Sequence, residues 1–352
     1  MKFLFSIPLI ILLFTGCKKE DNFNPFTPGE TPPPTSTDTR PASIGVIGDT
    51  SDIQTTTKGG LVIMGGGSDV DAAFQWMIER SGGGDVVIIR ATGTDAYNPY
   101  VNKLGKVNSV ETLLINSRVL AENAGVARII RNAEMLWIAG GDQSDYAAYW
   151  KGTKVMDAIN YLLTQKKVPV GGTSAGAAIL GNYYFTGERS GVTSATALAD
   201  PYSRDITLYK DDFLQAPFMQ NVITDQHFTQ RDRQGRTTVF LGRIMKDWNK
   251  IPNGIAVDEA TAVCVDDKGL AEVFGSNKAF FLKTYSGKAP EVLESNKPVT
   301  WNMDGKAIMV KEISGKARGN QFNVVTFEPE NTTGLTSYWW SAVSGKMIFI
   351  EN

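Results

Sequence analysis

The 352-residue chain contains a single histidine, His227, and one serine set in a tight small-residue turn, Ser174 of Gly172-Thr173-Ser174-Ala175-Gly176. A serine hydroxyl is a poor nucleophile until a neighbouring base takes its proton, and imidazole is the usual base near neutral pH. If this chain performs serine hydrolysis, the pair must be Ser174 and His227, because no second imidazole exists. Ser174 follows an apolar run, Val168-Pro169-Val170, and precedes a small-residue helix, Ala175 to Leu180. Strand, serine turn, helix is the context of a nucleophile elbow, where small neighbours allow a strained turn with an exposed hydroxyl. The Ala175 amide at the helix start would face a developing oxyanion, and Gly140 or Gly141 on a neighbouring strand end would supply a second amide. The competing reading is a phosphate-binding or merely tight glycine turn.

Val222-Ile223-Thr224-Asp225-Gln226-His227-Phe228 reads as a strand that delivers polar groups at its C-terminal end. A lone histidine is more often structural than catalytic. This one is flanked by Asp225, Gln226 and a run of three arginines, Arg231, Arg233 and Arg236, which an apolar core would not tolerate. Such a charge run is usually a solvated helix face. Beside a candidate base it better suits recognition of an acidic group by bidentate pairing.

Alternating apolar and helical patterns must position these groups. Leu61 to Met64 reads as a strand, ending in Gly65-Gly66-Gly67-Ser68-Asp69, and Val70 to Ile78 as a helix. Asp85 to Ile89, Glu111 to Ile115 and Met135 to Ala139 are further strands, the last ending in Gly140-Gly141-Asp142-Gln143. The spacing predicts helices over Ser117 to Arg131 and Asp145 to Leu163. Strand, glycine turn and helix in repetition imply an α/β fold, a mostly parallel sheet with helices on both faces. The glycine turns should then share one crevice at the carboxyl ends of the strands. Beyond about Asn253 the pattern changes to antiparallel-looking strands, and the tail with Trp339-Trp340 and Met347 to Ile350 reads as added β-structure packed on the main sheet.

With 35 Lys and Arg against 37 Asp and Glu, the net charge of −2 argues against a bulk electrostatic grip on nucleic acid or an anionic membrane. Lys2, the apolar Phe3 to Phe14 and Phe14-Thr15-Gly16-Cys17 form an export signal with a bacterial lipobox, in which Cys17 is acylated; the alternative is an ordinary cleaved signal peptide. The apolar run is short for a membrane span. Residues 17–42, rich in Pro, Thr and Ser, read as a tether, residues 43–283 as the α/β domain and residues 284–352 as a β-rich extension. The chain is thus expected to be exported and lipid-anchored to the cell envelope, periplasmic or surface-facing. Cys264 lies in an apolar run, so with Cys17 lipidated no disulfide is expected. A single histidine and no carboxylate cluster with ligand spacing predict no metal. The Gly65-Gly66-Gly67 turn lacks the spacing of a nucleotide loop.

Gly140-Gly141-Asp142-Gln143, the Ser174 turn, and Asp225-Gln226-His227 followed by Gln230-Arg231, Arg233 and Gly235-Arg236 stand in one order over roughly residues 58 to 265. Together they resemble cyanophycinase, a serine-peptidase family related to α-aspartyl dipeptidase and, more distantly, to class I glutamine amidotransferase folds. The resemblance implies hydrolysis of cyanophycin, a poly-aspartate bearing an arginine on each β-carboxyl, to β-aspartyl-arginine dipeptides without a cofactor. It implies Ser174 as nucleophile, His227 as base, and Gln143, Asp225, Gln226, Arg231, Arg233 and Arg236 along the substrate groove; the oxyanion hole read from the turns would be Gly141 and Ala175. For such a polymer the arginines would take α-carboxylates and Asp225 could help with guanidinium groups. Glu188, shortly after the serine helix, matches where the family places the third acid; Asp258 and Glu259, at another strand end, compete for that role. The resemblance also admits a homodimer. Rival functions are an aspartyl dipeptidase-like hydrolase and a non-catalytic lipoprotein that binds polymer or peptide on the same scaffold.

Overall fold

The computed structural model describes residues 40–285 and 287–351. The lipobox, Cys17 and most of the tether lie outside the described residues. In chain order the strands are β1 (Ser43–Gly48), β2 (Gly60–Met64), β3 (Asp85–Arg90), β4 (Ser109–Leu114), β5 (Met135–Ile138) and β6 (Pro169–Thr173). β7 (Tyr183–Phe185), β8 (Leu208–Lys210), β9 (Val222–Gln226) and β10 (Asn253–Val257) follow. The remainder are β11 (Thr261–Asp266), β12 (Leu270–Gly275), β13 (Lys278–Thr284), β14 (Ile308–Ser314), β15 (Phe322–Asn323), β16 (Glu328–Pro329), β17 (Leu335–Val343) and β18 (Lys346–Glu351).

Two sheets result. The first runs β1-β4-β3-β5-β6-β2-β11-β12-β15-β16, parallel from β4 to β2 and antiparallel outside that block. Val86 to Ile89 of β3 are all buried, which is why the parallel strands read as unbroken apolar runs rather than alternating ones. The second runs β18-β17-β14-β13-β10-β9-β7-β8, with β9 parallel to both β7 and β10. The expected α/β class therefore holds, with extra C-terminal strands. Those strands are hydrogen-bonded into the sheets: β14, β17 and β18 extend the second, and β15 and β16 extend the first. From Asn253 onward the expected antiparallel pairing holds: β10 is parallel to β9 on one side and antiparallel to β13 on the other, and β11 to β18 pair antiparallel throughout.

Two predicted helices are broken in the structure, each by a local competitor. The segment from Ser117 divides into Arg118–Ala121 and Ala124–Asn132, because the Asn123 side chain accepts from the Gly125 and Val126 amides and starts a new helix. The segment from Asp145 divides into Gln143–Trp150 and Lys154–Tyr161 at Gly152, whose φ of 68° no helix continues. Cys264 is a free, buried thiol on β11, and burial holds its pKa well above the ordinary value.

Candidate active site

The serine turn is built by the absence of side chains around it. Ser174 sits between β6 and the helix Ala175–Ala178 with φ 51° and ψ −119°, a region that L-residues rarely occupy. A Cβ on Gly172 would stand 2.6 Å from the Gly176 carbonyl carbon, and one on Gly176 would stand 2.2 Å from the Ile138 oxygen. Glycine at both positions lets strand and helix close tightly enough to push the hydroxyl outward. Ala175 opens the helix, so its amide has no intrahelical acceptor. Gly140 lies against the serine, its hypothetical Cβ 3.4 Å from Ser174 Cβ. The Asp142 side chain accepts from the Ser144 amide, and the Tyr146 hydroxyl donates to the Ala139 carbonyl, which together fix the Gly140–Gly141 turn beside Ser174.

The histidine arrives from the other sheet. Ser174 Oγ and His227 Nε2 are 2.7 Å apart. His227 Nδ1 is 2.6 Å from Glu259 Oε1, which assigns its proton to Nδ1 and leaves Nε2 free to accept. Three successive carbonyls at the end of β2 hold this relay. Met64 O accepts from the Ser174 amide at 3.1 Å, Gly65 O from the His227 amide at 2.8 Å, and Gly66 O from the Ala260 amide at 2.9 Å, next to Glu259. The Gly65-Gly66-Gly67 turn, which could be read from sequence only as one of several glycine turns, is thus the clamp between nucleophile, base and acid. Gly66 has φ 97°, and a Cβ there would meet the imidazole at 2.3 Å. Gly66→Ala should therefore displace the ring and lower kcat by about 100-fold or more, measured on purified folded protein.

Glu188 does not reach the histidine. It is exposed and accepts from the Tyr209 hydroxyl at 2.9 Å and the Thr186 hydroxyl at 3.3 Å. The carboxylate on His227 is that of Glu259, one of the two competing acids. Asp258 is turned away, its Oδ1 taking the Thr229 amide and hydroxyl. The topology explains the choice: β9, the helix Gln234–Trp248 and β10 form a strand–helix–strand unit with Val257 opposite Gln226. The residues just past β10 must therefore fall beside those just past β9. That unit is visible in the sequence as an apolar run, a helical stretch and a second apolar run, and was the signal available for Glu259.

The groove residues divide. Asp225 and Arg236 do not face a groove. Arg236 Nε donates to Asp225 Oδ2 at 2.9 Å, the Thr237 hydroxyl donates to the same oxygen at 2.6 Å, and both charged residues are buried. Burial alone would raise the Asp225 pKa, but the Arg236 guanidinium beside it holds the carboxyl below its usual range. Asp225 is thus occupied internally and cannot serve a substrate guanidinium. Arg236→Ala would leave this buried carboxylate with Arg233 at 3.3 Å as its one remaining cation among the described residues, and the cost should be about 3 kcal/mol of stability, read from urea unfolding. Arg233 is partly buried, with Nη1 on the Gln226 carbonyl at 2.6 Å; burial lowers its pKa to about 10. Arg231 is exposed, and Gln226 is buried beside the histidine with Oε1 lacking a hydrogen-bond partner among the described residues. Gln143 opens its helix and lies toward Gly187, whose hypothetical Cβ would be 3.3 Å from Gln143 Nε2.

Burial is the main influence on His227 and lowers its pKa; Arg231 and Arg233 lower it further, while the Glu259 carboxylate pulls it up. The net direction is down, so the imidazole is neutral and able to accept a proton near neutral pH.

An α/β sheet with a Ser-His-Glu relay at its strand ends is the layout of a serine hydrolase. The chain belongs to peptidase family S51, whose description matches residues 61–273. It is 28% identical over 166 residues to the cyanophycinase of Trichormus variabilis, covering 47% of this chain and 50% of that protein. It is 27% identical over 229 residues to the cyanophycinase of Synechococcus elongatus, covering 62% of this chain and 66% of that one. The aligned part thus spans about half the length of the first relative. A solved peptidase from an acI-B1 Actinobacterium superposes with a TM-score of 0.48 at 18% identity, over 64% of this chain and 91% of that chain.

Proposed function

We propose that the protein is an exported, lipid-anchored serine exopeptidase of cyanophycinase type that cuts cyanophycin to β-aspartyl-arginine dipeptides. The observation that carries the hydrolytic reading is the continuous relay from Ser174 Oγ through the imidazole to Glu259. In this mechanism His227 Nε2 takes the hydroxyl proton as Ser174 attacks the backbone carbonyl, and the Ala175 and Gly141 amides receive the oxyanion. The imidazolium, held by Glu259, protonates the leaving amine. Water then enters, deprotonated by the same ring, and releases the acyl group. The exposed Arg231 supports binding of substrate carboxylates. Family membership and the cyanophycinase relatives support the substrate. Export and anchoring at Cys17 rest on the Phe14-Thr15-Gly16-Cys17 motif alone.

The test is incubation of the protein lacking residues 1 to 42 with cyanophycin, with products identified by mass. Release of β-aspartyl-arginine supports the reading. Inertness toward the polymer together with release of aspartate from α-linked dipeptides overturns it in favour of a dipeptidase.

The pH dependence follows from the neutral base. Activity requires unprotonated His227, so kcat/KM should rise with pH through the histidine pKa and reach its plateau at lower pH than an ordinary imidazole would allow. Arg231→Gln removes a positive charge that disfavours the imidazolium, so the acid limb should move to higher pH. A pH–rate profile of both proteins checks this; an acid limb that stays put in the variant removes Arg231 from the electrostatics of the base.

A further inference from the structure

A cavity of about 440 Å³ is lined in part by neighbours of the base and the acid, without Ser174, His227 or Glu259 themselves. One wall comes from those neighbours: Thr229, Gln230, Gln234 and Asp258. Gln230 Oε1 accepts from the Glu259 amide at 2.9 Å, so this wall is continuous with the relay. The opposite wall is Glu312 of β14, Tyr338 and Trp340 of β17 and Phe349 of β18. All four lie beyond residue 273, where the match to the peptidase family ends.

The lining is chemically lopsided. Its lining includes Asp258, whose Oδ1 takes the Thr229 amide and hydroxyl, Glu312, which accepts from the Tyr338 hydroxyl at 3.0 Å, and Gln234, whose Oε1 is buried with no hydrogen-bond partner among the described residues. Burial raises the Asp258 pKa, so a cation beside it would be welcome. The Trp340 indole N–H, in a residue only 1% exposed, is also without a partner among the described residues, but as a donor it takes no part in holding a cation. Aromatic rings of Phe280, Tyr338, Trp340 and Phe349 complete the walls. At the rim stand two exposed cations, Lys316 and Lys278, the second paired with Glu312 at 2.5 Å. Acceptors and π faces inside with ammonium groups outside suit a planar cation on an apolar stem whose other end is a carboxylate.

We propose that this cavity is an arginyl subsite, built by the C-terminal strands, that takes the guanidinium of an arginine unit inside and its α-carboxylate at the lysine rim. The polymer part of this inference rests on the cyanophycinase reading; the arginine part does not. A chain bearing an arginine on every residue would engage this subsite and the serine cleft together, so occupancy raises affinity for polymer without touching the reacting bond.

The experiment uses Gln234→Leu and Glu312→Gln in the protein lacking residues 1 to 42, each checked for folding by thermal melting. Steady-state cleavage of cyanophycin gives KM and kcat, and calorimetry with free L-arginine on the Ser174→Ala protein gives direct binding. Both variants should raise KM for the polymer about tenfold, the effect of losing a hydrogen bond to a charged group, with kcat within about twofold, and should abolish the L-arginine signal. Wild-type cleavage with unchanged KM in both variants overturns the subsite and leaves the cyanophycinase reading intact. Wild-type protein that binds L-arginine through Gln234 and Glu312 yet leaves cyanophycin whole supports the subsite and overturns that reading. Absence of both binding and cleavage overturns both.

Discussion

Ser174→Ala should lower kcat by about 10⁶-fold, to the residual rate that oxyanion donors and binding sustain alone, while leaving the melting curve unchanged. The size of the effect follows from the geometry. The hydroxyl stands 2.7 Å from its base, on a turn whose φ of 51° is held by close strand–helix packing. Alanine keeps that turn and removes only the attacking oxygen. Covalent labelling provides an independent readout: a fluorophosphonate should modify the wild-type protein once, at Ser174, and the variant not at all. Labelling of the variant, or cleavage at the wild-type rate, would remove Ser174 from the chemistry and with it the serine-peptidase reading. His227→Ala should be nearly as damaging, and the two losses should not add, because each residue is useless to the reaction without the other.

The chemistry-bearing residues were legible in the sequence to the extent that local pattern carries them. The Ser174 turn announces itself because an elbow needs glycine or alanine at neighbouring positions, and the neighbours are consecutive in the chain. His227 stands out by exclusion, being the one imidazole in the chain. The partner acid was harder, since Glu259 is 32 residues from the histidine and meets it only because β9 and β10 lie parallel and in register. Glu188 has the right type and a plausible distance from the serine, but the hairpin of β7 and β8 carries it to the surface beside Tyr209. The arginines show the same limit. Nothing in their spacing says that Arg236, in the first turn of its helix, turns inward to neutralise Asp225 while Arg231 stays in solvent. Side-chain direction around an irregular 3-10 turn, Thr229–Arg231, is a tertiary outcome that periodicity does not encode. The same holds for the β2 clamp: three glycines in a row signal a turn, and only the assembled sheets show which three backbone carbonyls it presents.

Glu259→Gln should lower kcat by about 10³- to 10⁴-fold, and Glu188→Gln should leave it within about twofold. The amide is isosteric, so the loop that Gln230 and the Gly66 carbonyl hold in place should persist. What changes is the partner of Nδ1. A carboxylate can only accept, which fixes the proton on Nδ1 and stabilises the imidazolium formed as Ser174 attacks. An amide can present its N–H₂ to Nδ1 instead, which moves the ring proton to Nε2 and aims a donor at the serine hydroxyl. The carboxylate also raises the histidine pKa against the lowering effects of burial and of Arg231 and Arg233, so its removal should drive the acid limb of the pH profile still lower while the plateau collapses. The falling plateau and the displaced limb distinguish loss of the acid from general damage, which would lower the plateau alone. If instead Glu188→Gln were the inactive protein and Glu259→Gln the active one, the relay seen here would be a resting arrangement, and the hairpin bearing Glu188 would have to swing onto His227 during turnover.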